Sequence, residues 1–225
     1  MSRDVLEVIA AAGFTPLGWF SPGQEHAVPD LAPGLPARTV VLIGNAGARF
    51  WQRFTAEQRG GDDPMDAWTR EAVAALVGTL GRGTGAVFPF DRPYLPFQRW
   101  AQAAGVGFSS PLGLTIHPVY GLWHAYRAAL LFSEPLALPP QGAQVNPCDS
   151  CADRPCLSAC PVGAFTGHAY RVDACIAHLQ TPGGENCFSG CLARRACPVG
   201  RAFTYRPAQA RFHMEHFLKA RAQPR

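Results

Sequence analysis

All eight cysteines of this 225-residue chain fall between residues 148 and 197. The first run reads Cys148-x2-Cys151-x4-Cys156-x3-Cys160 and the second Cys187-x3-Cys191-x5-Cys197, with Cys175 between them; Cys160 and Cys197 each precede a proline. Such short spacings bend the chain into tight loops whose amides turn toward the sulfurs. Four thiolates converging on one small iron–sulfur cube need that geometry, and eight serve two cubes.

In two-cluster ferredoxins the cysteine before the proline ligates the other cluster. The runs therefore read as two crossed sets: Cys148, Cys151 and Cys156 with Cys197, and Cys160 with Cys175, Cys187 and Cys191. Two other uses of eight thiols compete. Disulfides belong to exported chains, and Asp4 and Glu7 fall where a signal peptide needs a basic start and an apolar core. Zinc ribbons also open on Cys-x2-Cys, but they pair such units across a longer spacer and make no use of Cys-Pro.

The cysteine region occupies one small domain, 148–206, and leaves room upstream for a second one at 1–135, joined by a proline-rich linker at 136–147 and followed by a helix at 207–225. With 48% hydrophobic and 16% charged residues the upstream part can bury an ordinary core. No apolar run reaches the ~18–20 residues of a membrane span, so a cytoplasmic chain with no membrane partner is expected. The net charge of +4 comes from scattered arginines with no basic tract, so nucleic acid is not an expected partner. The cluster Arg194, Arg195, Arg201, Arg206 and Arg211 is either a solvated face or a dock for an acidic electron donor.

Periodicity predicts helices at 3–12, 48–59, 65–80 and 94–104, with Asp62-Asp63-Pro64 as the start signal of the third. Thr39–Ile43 and Gly85–Phe90 read as strands, and Pro16–Pro36 as irregular. Leu112–Pro118 and Leu122–Phe132 read as the two arms of an antiparallel hairpin, with a helix as the alternative for the second arm. Gly81-Arg-Gly-Thr-Gly85 precedes a strand instead of opening a helix, so it lacks the mechanics of a dinucleotide loop.

Two stretches carry a resemblance. Ala159-Cys-Pro-Val-Gly-Ala-Phe165 followed by Tyr170-Arg-Val-Asp-Ala-Cys-Ile-Ala-His-Leu179 resembles the cluster domain of epoxyqueuosine reductases, which are similar to reductive dehalogenases. Thr115-Ile-His-Pro118 and Gly121-Leu-Trp-His-Ala-Tyr-Arg127 resemble the corrinoid-lining segment of CblC-type cobalamin-processing proteins. The resemblance implies an α+β fold: a flavin-reductase or nitroreductase-like sandwich followed by a two-cluster ferredoxin-like domain, in families that often dimerise. It implies that Cys175 is a cluster ligand and that Asp91 is a proton donor. It places His117 nearest the corrinoid, with Trp123 and Arg127 as further cofactor contacts; the plain readings are a satisfied histidine, a core tryptophan and a surface arginine.

The resulting expectation is an oxidoreductase that binds cobalamin, reduces its cobalt and removes its upper ligand. Two [4Fe-4S] clusters would relay electrons from an external donor such as a flavodoxin or a ferredoxin reductase. Three alternatives stay open: a corrinoid-dependent reductase of an organic substrate, a dicluster electron carrier without catalysis, and flavin in place of the corrinoid.

Overall fold

The computed structural model describes residues 4–222. Residue 3 of the expected first helix and residues 223–225 of the expected last one lie outside that range. In chain order the regular elements are α1 (Val5–Ala11), β1 (Thr15–Phe20), β2 (Thr39–Ala46), α2 (Ala48–Glu57), α3 (Pro64–Leu80), β3 (Thr84–Val87), α4 (Phe97–Ala103), β4 (Phe108–Ser109), β5 (Thr115–Ile116), β6 (His124–Phe132), α5 (Pro155–Ser158), α6 (Val172–Leu179), α7 (Glu185–Phe188), α8 (Leu192–Ala196) and α9 (Pro207–Ala222). The class is α+β. The chain divides into two compact units: residues up to Gly107 with His124–Gln144, and Phe108–Trp123 with everything from Val145 onward.

In the first unit an antiparallel sheet runs in the order β1-β2-β6-β3. Every residue of β2 is buried, which suits the apolar run Val40–Ile43 of a central strand covered on both faces; Thr39 and Asn45 are its buried polar positions. Helices α2 and α3 bring Phe50, Phe54 and Trp68 together with Phe14, the Phe50 and Trp68 rings meeting edge to face at 5.1 Å. Trp68 Nε1 donates to Glu57 at 3.0 Å, so the one polar atom of this cluster is satisfied.

Two expectations are corrected here. Thr15–Phe20 lies within the stretch read as irregular, yet it forms β1. It pairs at the edge of the sheet with a register shift between Pro16 and Trp19, and an edge tolerates the missing N–H of Pro16. The hairpin does not form either. Its second arm is β6, paired from Thr39↔Phe132 to Ala46↔His124 with β2 and also with β3, while its first arm supplies only β5, which pairs with β4. A single bridge, His117↔Gly121, closes the turn between them. A nine-residue strand satisfies its backbone groups against long partners, and a two-residue arm leaves most of them orphaned.

The second unit is built from the short β4–β5 pair, the short helices α5 to α8 and the longer α9. Its core combines Leu112, Ile116, Leu122, Ala164, Phe165 and Ala193 with the sulfurs of Cys156 and Cys197. A satellite cluster joins Leu179, Cys187 and Phe188 to Met214, Phe217 and Leu218 of α9. So few apolar side chains make a thin core, and thin cores lean on metals or cross-links for stability. Among the described residues no helix is long and apolar enough to cross a membrane.

Candidate metal centre

The eight cysteines are free thiols, and they fall into two groups. Burial pushes the Cys148 thiol up to about 11, and the neighbouring Cys197, Cys156 and Cys151 push in the same direction. Cys156 is raised by burial and then by Cys197 and Cys151. In the other group, burial and Cys160 raise Cys175, burial with Cys175 and Cys160 raises Cys187, and burial with Cys175 and Cys187 raises Cys191. Thiols that raise one another's pKa stand close together and resist losing their protons. A cationic centre between them reverses that balance.

The donor set fits a cluster. The first group lines a small apolar cavity of about 20 Å³ together with Pro111, Ile116, Pro147 and Val199. In the second group the Ala164 amide donates to Cys160 Sγ at 3.3 Å. Donors aimed at sulfur are the means by which a protein stabilises thiolate ligands. Among the described residues no group of three or more His, Cys, Asp or Glu side chains is arranged to hold a metal ion.

His117 sits in the second unit and is 6% exposed. Its Nδ1 accepts from the Val119 amide at 3.0 Å and the Tyr120 amide at 3.3 Å, which fixes the tautomer with the proton on Nε2. Burial holds the ring at a pKa of about 4, so it is neutral near pH 7. Trp123 is 1% exposed, edge to face with Tyr205 at 5.3 Å. The Arg194 guanidinium lies 4.6 Å from both rings and donates from Nε to Leu122 O at 2.7 Å.

Asp91 and Arg127 belong to the first unit. Asp91 lies in the loop after β3, its carboxylate gripped by both terminal nitrogens of Arg70, whose guanidinium also covers Phe88 and Phe90. Arg127 on β6 is paired with Asp66 and bonded to Thr69 Oγ1, both on α3. That makes it a partly buried strut between strand and helix, not a surface arginine. Sequence reasoning passed over Arg194 as a partner of Trp123 and Tyr205, because the stacking depends on rings brought in from elsewhere in the chain.

Fold and site together define an α+β chain carrying a compact eight-thiol unit. No protein-family profile and no curated protein sequence matches it. Among solved structures it is similar to the C. elegans B12-trafficking protein CblC, at 15% identity and a TM-score of 0.51, over 95% of this chain and 94% of that one. It is also similar to epoxyqueuosine reductase from Bacillus subtilis (21% identity, TM-score 0.47, 89% and 66% covered) and to an epoxyqueuosine reductase solved with a modified tRNA stem loop (20%, 0.48, 91% and 67%). The chain thus spans about two thirds of the length of the reductases. At these identities the likeness concerns the fold.

Proposed function

We propose that the chain is a corrinoid-binding iron–sulfur reductase that reduces the cobalt of cobalamin and removes its upper axial ligand. The observation that carries this reading is the sorting of eight thiols into two groups of four, each half-buried or buried among the others, with the Ala164 amide donating to Cys160 Sγ. Cys148, Cys151, Cys156 and Cys197 would hold one [4Fe-4S] cluster, and Cys160, Cys175, Cys187 and Cys191 the other. When bound, the clusters supply one-electron transfer at potentials that reach about −700 mV. The apolar lining at Pro111, Ile116, Pro147 and Val199 keeps water from the first of them.

Corrinoid as substrate draws its support from the fold shared with a B12-trafficking protein over nearly the whole of both chains. In this reading His117 meets the corrinoid as a neutral ring. Trp123, covered by Arg194 and Tyr205, supports the site without touching the ligand. Electrons come from an external low-potential donor in the cytoplasm.

Anaerobic purification followed by iron and sulfide counting, with visible spectra before and after adding cobalamin, tests the whole reading. About eight irons per chain and a shift of the corrinoid bands toward reduced cobalt are expected. Iron without corrinoid binding at micromolar levels leaves an electron carrier, and colourless zinc protein removes the clusters. Reduction of an organic substrate, with corrinoid as cofactor, is favoured by the one carboxylate carried over as an acid: Asp91 stays 40% exposed within its arginine clasp.

A further inference from the structure

We propose that Arg194 is the positioning residue that fixes the separation of the two clusters, by pinning α8, the short helix that carries a ligand of each at its two ends. The inference rests on the reading of the eight thiols as cluster ligands and adds to it a side chain that is not a ligand.

Cys191 caps α8 at its N-terminus and Cys197 at its C-terminus. Helical rise between them puts their backbones about 9 Å apart. The two cysteines belong to different groups. Cys197 lines the apolar cavity with Cys148, Cys151 and Cys156, and Ala193 of α8 packs into the core that holds Cys156 and Cys197. Leu192, the residue before it, packs instead on Leu179, Cys187 and Phe188. A helix of five residues is too short to persist by its own hydrogen bonds, and no side chain caps its start, so what grips it from outside sets its place.

Arg194 supplies that grip. Its Nε donates to Leu122 O at 2.7 Å, and its Cζ lies 4.6 Å from the ring centroids of both Trp123 and Tyr205. Those rings are 1% and 6% exposed and meet each other at 5.3 Å with 65° between their planes, so the clasp is itself fixed in the core. One residue before Leu122, the Gly121 backbone packs on Val199 and Gly200. Residues 121–123 thus hold the chain on both sides of Cys197-Pro198. A guanidinium suits this task and an ammonium does not, because it is planar, stacks on rings and carries a directed Nε–H. Separation decides how readily a reduced cluster hands its electron to an oxidised one, so a pinned α8 keeps that relay uniform from molecule to molecule.

The test compares wild type with Arg194→Lys as full chains purified anaerobically, with iron counted and low-temperature EPR recorded during stepwise reduction. Two reduced clusters, each with unpaired electrons, split each other's signals when a short helix spans them, and the splitting falls steeply with distance. Partly reduced protein, with one paramagnetic cluster per chain, lacks it. The variant should retain about eight irons per chain, match wild type while partly reduced, and lose the resolved splitting when both clusters are reduced. Full iron with unchanged splitting overturns the inference, and so does wild-type protein whose two reduced clusters show no splitting. Should Arg194→Lys lose iron, Tyr205→Leu carries the same comparison, since it leaves α8 and Arg194 in place and removes one face of the clasp. Loss of one cluster alone from either variant overturns the inference, because α8 serves both. Loss of all iron from both variants overturns it too, by making the clasp a condition of assembly instead of spacing. Wild-type protein without iron overturns the cluster reading, and this inference with it.

Discussion

Gly121 and Gly200 lie back to back: a Cβ on Gly121 would come 2.1 Å from Val199 O, and one on Gly200 would come 2.3 Å from Tyr120 O. The turn closed by His117 and the loop after Cys197-Pro198 therefore pack backbone on backbone. Both glycines also hold left-handed φ, +57° and +72°. An alanine at either site meets backbone strain of ~1–2 kcal/mol and must in addition push a main chain aside. Gly121→Ala and Gly200→Ala should each lower unfolding free energy by more than ~2 kcal/mol and reduce the iron held with Cys197. Denaturant midpoints and iron counts check both effects, and unchanged iron would detach this contact from the centre.

Cys156 and Cys160 are near neighbours in sequence but belong to different groups. Cys156→Ser and Cys160→Ser should each cut the iron from about eight to about four per chain. Combining Cys156→Ser with Cys197→Ser should remove no more than the first change alone, whereas Cys156→Ser with Cys187→Ser should leave none. A pairing of Cys197 with Cys187 in the double-variant counts would redraw the groups.

Asp91 and Arg70 form an ion pair with side chains 40% and 49% exposed, a setting worth ~0–1 kcal/mol. Asp91→Asn should therefore barely change the melting temperature. If an organic substrate is reduced here, turnover should fall by ~100-fold or more with corrinoid binding intact; undiminished turnover would strip Asp91 of its acid role.

The pKa of His117 gives stability a pH dependence of known sign. The folded ring titrates at about 4 and an unfolded one near ~6.5, so between these values the unfolded chain binds the extra proton. The contribution is complete above pH ~6.5 and is lost as pH falls toward 4, by at most ~1.4 kcal/mol per unit. His117→Asn keeps an oxygen acceptor for the Val119 and Tyr120 amides but does not titrate. Urea midpoints at pH 7 and pH 5 should differ less in the variant than in the wild type.

Much of the fold is legible locally. The β-branched run at Thr39–Ile43, the Asp62-Asp63-Pro64 start signal and the alanine-rich stretch after it fix β2 and α3 to within a few residues, because each depends on its own side chains. Thr15–Phe20 was not legible: Pro16 and Gly18 argue against a strand, and only the ladder offered by β2 outweighs them. For the candidate site, thiol spacing marked the cysteines, while the environments of Asp91 and Arg127 depend on α3 and had no local signal.

The sequence alone determined that eight thiols crowd one region, in runs too short for anything but tight loops. Tertiary structure decided what surrounds them. Tyr170 stacks on Phe165 because the bridge between them folds it back, Arg194 is clamped because Trp123 and Tyr205 converge on it, and β6 joins β2 instead of its nearer neighbour β5. Ligand spacing is a property of a short stretch of chain. Donors, stacking partners and strand ladders come from distant segments, chosen by which arrangement leaves the fewest backbone and side-chain groups unpaired.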